Sequence, residues 1–114
     1  FHHGVNKGVL GLNQFVALAS TNPAKLFGLF PRKGTIAVGS DADLVVWDPH
    51  AERMISAKTH HMKADNNIFE GMTVSGRPRY VLSRGRTVAE GERFVGAEGA
   101  GVHQKSAPFR PVQL

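Results

Sequence analysis

Apolar and polar positions alternate along this chain in two regimes, which change over near Gly34. Before Gly34, Phe15, Val16, Leu18 and Ala19 recur at the i, i+1, i+3, i+4 spacing that lines one stripe of a helix. Ser20-Thr21-Asn22-Pro23 then offers capping residues followed by a proline, whose missing N–H costs nothing in a first helical turn. The pattern therefore predicts a second, short helix with Ala24, Leu26 and Phe27 on its buried side. Gly28 reads as its C-terminal cap, and Pro31 prevents continuation.

From Thr35 onward the signals are those of strands. Leu44-Val45-Val46-Trp47 is a short apolar run between Gly39-Ser40-Asp41 and Asp48-Pro49, which predicts a strand buried on both faces and ended by Asp48-Pro49. Met72-Thr73-Val74 leads to an expected turn at Gly76-Arg77-Pro78. Tyr80-Val81-Leu82 follows as a strand, Arg84-Gly85 as a tight turn into Thr87-Val88-Ala89, and Glu90-Gly91-Glu92 as another turn before Phe94-Val95. Residues 56–71 are polar and weakly periodic, a long loop of the kind usually kept for contacts or function. Residues 97–114, rich in Gly and Pro, read as an extended tail ordered only where it docks.

The fold class expected is α+β: two N-terminal helices, then a mainly antiparallel β region. A helical stripe with nothing to cover it and a sheet short of strands make a poor free-standing domain. The 114 residues leave room for one modest core. The start at Phe1-His2-His3, without Met or a signal-like apolar stretch, reads as the middle of a longer polypeptide.

Composition narrows the function classes. The chain has no cysteine, which removes disulfides and thiolate metal ligands and fits a reducing cytoplasm. No apolar run approaches a membrane span. The net charge of +5 raises the question of nucleic acid, but the basic residues are scattered. Arg77 with Arg79, and Arg84 with Arg86, fall two apart, as on the solvated face of a strand. Neither a nucleic-acid nor a membrane partner is expected.

Candidate chemistry is sparse. His2-His3 and His60-His61 are adjacent pairs whose side chains diverge on an extended chain. His61 and Asp65 have a helical spacing, but two ligands do not make a metal site. Asp41, Asp43 and Asp48 form a possible carboxylate cluster, read here as turn-shaping and strand-bounding residues because no base or nucleophile accompanies them. The stretch from Gly34 to Ser40 lacks the Lys-Ser/Thr ending of a phosphate loop, and no serine sits in a nucleophile elbow. No catalytic, cofactor-binding or metal-ligating residue is assigned.

Two stretches carry a resemblance. Ser20-Thr21-Asn22-Pro23-Ala24-Lys25-Leu26-Phe27-Gly28-Leu29, followed by the segment from Lys33-Gly34-Thr35 through Asp41-Ala42-Asp43-Leu44-Val45-Val46-Trp47-Asp48, resembles the C-terminal signature of the amidohydrolase superfamily. Thr59-His60-His61-Met62 and Phe69-Glu70-Gly71-Met72 narrow the likeness to D-hydantoinases and dihydropyrimidinases, over about Val5 to Gly101. Asn66 departs from the pattern, standing where relatives often carry an aromatic.

The resemblance implies a much longer cytoplasmic enzyme, homotetrameric, with a (β/α)8 barrel and a β-sandwich built from both chain ends. Residues 1–33 would be helical and pack on the barrel, 34–96 would be the C-terminal share of the sandwich including the loop at 56–71, and 97–114 the tail. It further implies hydrolysis of the ring amide of hydantoins or dihydropyrimidines at two divalent metals, usually zinc, bridged by a carboxylated lysine. Those ligands precede the matched region, so this segment would be structural, with the rest of the same enzyme as its partner. Two other readings compete: a non-enzymatic dihydropyrimidinase-like structural adaptor, of which collapsin response mediator proteins are the example, and an independent basic binding module.

Overall fold

Gly11 opens the helical region, its N–H donating to the Gln14 side-chain oxygen at 2.8 Å. Helix α1 (Leu12–Val16) passes through a π-helical turn (Ala17–Thr21) directly into helix α2 (Asn22–Leu26). This computed structural model describes residues 1–108. The two separate helices expected are thus one continuous helical run, because Val16, Thr21 and Asn22 all keep right-handed helical backbone angles. The cause lies at Pro23, which has no N–H to give and whose ring would press on the carbonyl one turn back. A widened turn accommodates it: the Asn22 N–H reaches five residues back to Ala17 O. Thr21, read as a cap, instead donates its hydroxyl to Gly34 O at 2.8 Å.

The helical run ends as the sequence predicts. Gly28 adopts φ +66°, and its N–H bonds Lys25 O at 3.1 Å while the Leu29 N–H bonds Ala24 O at 2.8 Å, a Schellman arrangement. The tail also docks here, with the Ala107 N–H on Gly28 O at 2.9 Å.

Strands β1 (Leu44–Met54), β2 (Thr73–Ser83), β3 (Arg86–Glu90) and β4 (Arg93–Phe94) form one antiparallel sheet in chain order. Three expectations are corrected. Asp48-Pro49 does not end β1: Pro49, His50 and Ala51 bulge between the pairs Asp48↔Arg77 and Glu52↔Ser75, and pairing resumes to Met54. The Asp48 carboxylate stabilises the bulge by accepting from the N–H groups of His50 at 3.0 Å and Ala51 at 3.1 Å. Likewise Gly76-Arg77-Pro78 is not a turn but the middle of β2. Pro78 is tolerated because β3 pairs only with Tyr80–Ser83, leaving the far edge of β2 open beside it.

The third correction concerns burial. Leu44–Trp47 is not covered on both faces: Val45 is 56% and Val46 49% exposed. Arg84 and Gly85 form the expected two-residue β2–β3 turn at φ +49° and +77°, so Arg84 does not share a strand face with Arg86.

Helix and sheet stand apart across a cleft of about 830 Å³ lined by Val16, Phe27, Ile36, Leu44 and Val46 among others, with the Phe1 ring between Phe15 at 5.7 Å and Trp47 at 5.3 Å. Ala24 is the one buried apolar residue described, and no large side chain is fully buried. The accessible surface of 8919 Å² compares with roughly 6,100 Å² for a folded monomer of 12.3 kDa. Exposed apolar side chains contribute to the excess, Ile36 at 87% and Leu18 at 58% among them.

Candidate functional site

Charge converges at one place, where the connection out of the helix meets the first sheet turn. Lys33 Nζ contacts Asp41 Oδ2 at 2.9 Å and also bonds Asp43 Oδ2. The other Asp43 oxygen accepts the Arg84 backbone N–H at 2.7 Å. Around this node, the Asp41 N–H bonds Arg32 O at 2.9 Å and the Ser40 hydroxyl bonds Pro31 O at 2.7 Å. Hydrogen bonds to Asp43 and then Asp41 hold the Lys33 ammonium above its ordinary pKa. Burial pushes the Asp43 carboxyl up, but the Lys33 ammonium and the Arg84 N–H outweigh it and hold Asp43 below the usual carboxylate range. The node ties three chain segments together. It presents no activated nucleophile and no free base, so its chemistry is structural.

A second polar cluster closes the long loop at 56–71. Backbone bonds from Gly71 N–H to Ile55 O and from Ile55 N–H to Met72 O, both 2.9 Å, draw its ends together. The Glu70 carboxylate then accepts from the Ser56 hydroxyl at 2.7 Å and the Ala57 N–H at 2.6 Å. Those two donors hold Glu70 below its ordinary pKa.

The histidines are dispersed. His2 Nδ1 accepts the Ser75 N–H at 3.1 Å, and its ring meets the His3 ring edge-on at 4.8 Å. His60 Nδ1 accepts the Met62 N–H at 3.1 Å, whereas the His61 ring lies 6.2 Å from Phe94. The segment holding His61 and Asp65 is not helical, so their four-residue spacing does not set them on a shared face. Among the described residues no three His, Asp or Glu side chains gather in a way that could hold a metal ion. Sequence reasoning missed the Lys33–Asp43–Arg84 node and the Glu70 clamp. Only the Asp-Ala-Asp spacing hinted at the first, and nothing local signalled the second.

Comparison with known proteins gives this geometry its context. The profile of the amidohydrolase family matches residues 1–88. A D-hydantoinase from Geobacillus stearothermophilus is 59% identical over 109 residues, 96% of this chain but 23% of that protein. A dihydropyrimidinase from Rattus norvegicus is 54% identical over 106 residues, 93% of this chain and 20% of that protein. The crystal structure of dihydropyrimidinase from Brevibacillus agri NCHU1002 superposes with a TM-score of 0.93 at 57% identity, covering 97% of this chain and 24% of that one. The chain thus spans about a quarter of the length of the proteins it matches.

Proposed function

The chain belongs to the amidohydrolase family, and we propose that it is the C-terminal structural quarter of a hydrolase that opens the ring amide of hydantoins or dihydropyrimidines. The observation that carries this reading is the 59% identity to a D-hydantoinase across 96% of the chain. In this reading the helical run at 12–26 seats on a (β/α)8 barrel, and the four strands complete a β-sandwich whose other strands come from elsewhere in the same polypeptide. The exposed Leu18, Phe27, Val45 and Val46 support it, since they are apolar surface of the kind a covering layer would bury.

Two divalent metals, zinc by resemblance, bridged by a carboxylated lysine would supply the activated hydroxide in the complete enzyme. The residues present here do not fit such a centre, because no three candidate ligands converge among those described. In this reading the ligands would belong to the remainder of the polypeptide. Assembly as a homotetramer in the cytoplasm completes the proposal. Among the described residues no helix is long and apolar enough to cross a membrane.

The test is to express the complete polypeptide and the 114-residue chain side by side and follow hydantoin and dihydropyrimidine ring opening. Turnover by the complete protein and none by the segment is expected. A folded, metal-supplied complete protein that opens neither ring would refute the reading in favour of a non-enzymatic adaptor.

A further inference from the structure

Arg84 stands where the β2–β3 turn would prefer another residue. A two-residue hairpin turn with both φ values positive favours Asn, Asp or Gly at its first position, because a larger side chain there crowds its own backbone. Arg84 nevertheless adopts φ +49°. Its backbone N–H donates to Asp43 at 2.7 Å, a bond that any residue but proline could make. The guanidinium adds what asparagine or glycine could not, since Nη2 donates to Ala100 O in the tail. The local cost of a left-handed arginine is thus offset by a contact 16 residues along the chain.

A second anchor holds the same tail at the helix end, where the Ala107 N–H donates to Gly28 O at 2.9 Å. Asparagine can also end a helix at positive φ, but a Cβ on residue 28 would lie 2.5 Å from Ala107 O. The approach of the tail therefore demands glycine there, beyond what the cap itself needs. Among the described residues, none of 101–106 makes a backbone–backbone hydrogen bond, and of these six only Gln104 is partly buried. The stretch is held at its two ends, over at most about 25 Å of extended chain.

Arg84 bonds Asp43 and Gly28 follows Phe27, and both Asp43 and Phe27 line the cleft between helix and sheet. We propose that residues 100–107 are a strap beside this cleft, latched by Arg84 and seated on Gly28, which fixes the helix end against the sheet turn. The two anchors act together. A single backbone bond does not offset the entropy of ordering an otherwise untethered stretch, so release at Arg84 also releases Ala107. The strap rests on contacts within this chain alone, so it stands or falls independently of ring-opening activity.

The experiment uses the complete protein, reading hydrogen exchange at the Ala107 amide and tryptic cleavage after Lys105, which lies between the anchors. Cleavage in the native protein runs at least about tenfold slower than in the urea-unfolded protein, as a locally closed site should. Arg84→Asn keeps a residue suited to the turn and withdraws only the latch. It raises both readings several-fold, while the Gly85 amide, bonded to Ala42 O at 2.9 Å, exchanges as before. Should that variant not fold, Gly28→Asn keeps the helix cap, displaces Ala107 and raises cleavage after Lys105 in the same way. Cleavage at the unfolded rate in the native protein overturns the proposal. Ala107 exchange indifferent to Arg84→Asn, or cleavage indifferent to Gly28→Asn, overturns it as well. Protection lost on dilution below the concentration at which the protein dissociates also overturns it, by placing the tail on a second copy.

Discussion

Asp43→Ala tests the one charged node that joins helix exit, strand start and sheet turn. The substitution removes the acceptor of the Arg84 N–H at 2.7 Å and one of two carboxylates on Lys33. A hydrogen bond to a charged group contributes about 1.5–3 kcal/mol when sheltered. The Asp43 side chain is 36% exposed, so solvent screening brings the expected loss to about 1–2 kcal/mol. That corresponds to a rise of about 5–30-fold in hydrogen exchange at the Arg84 amide if exchange follows local opening. Asp43→Asn retains an oxygen for Arg84 and loses only the ion pair, for about 0–1 kcal/mol. Exchange measured on the complete protein should rank wild type, Asn and Ala in that order. The pH dependence has a definite sign. Asp43 is depressed in the folded state, so its contribution is present above the unfolded carboxylate range and is lost as pH falls through the folded value. Lys33 is raised, so its share holds below its unfolded value and is lost only as pH rises through the higher folded one. Equal Arg84 exchange in all three proteins would refute the node as a structural tie.

Gly28→Ala should cost well over about 1 kcal/mol, since φ is +66° and a Cβ would come within 2.5 Å of Ala107 O; thermal melting and proteolysis of the tail check it. Lowering pH below the ordinary glutamate range should open the loop neck as Glu70, depressed by Ser56 and Ala57, takes up a proton through its folded pKa. Exchange at the Ala57 amide then rises, and Glu70→Gln removes that pH step. If a covering layer buries β1 in the complete protein, Leu44→Ala should cost about 2–5 kcal/mol there and markedly less in the 114-residue chain alone. The segment alone should self-associate through its uncovered faces, with light scattering as the check, and a stable monomer there would count against the reading of a missing layer.

What the sequence made legible was local. The cap at Gly28 depends on neighbours within a turn, so spacing alone exposes it, whereas the stripe at Phe15, Val16 and Leu18 runs into the π-helical turn and leaves Val16 and Leu18 exposed. The Arg84-Gly85 hairpin is equally local. Thr21 and Asn22 misled because capping residues mark a helix start only where the backbone can leave the helix, and here the π-helical turn lets it continue past Pro23. Asp48-Pro49 and Gly76-Arg77-Pro78 are turn-like stretches overridden by each other: the bulge in β1 lies opposite Gly76, so both strands run on. The Glu70 clamp spans 14 residues and Arg84–Asp43 spans 41, distances at which sequence gives no register. The family was legible because a long ordered motif carries more information than any of these single contacts.

The thin core admits two physical explanations, a loosely formed domain or a well-formed part of one. Loose packing would blur register and capping along with burial. Here β1 and β2 keep a defined register across a bulge, the helix ends in a Schellman arrangement and the long loop is closed at its neck. Disorder of packing is therefore not the cause. The deficiency lies in apolar side chains exposed on helix and sheet. Such a surface is what the proposed reading expects, with a covering layer elsewhere in the polypeptide. The backbone is specified within the chain, and under the proposed reading its burial would come from the rest of a longer polypeptide.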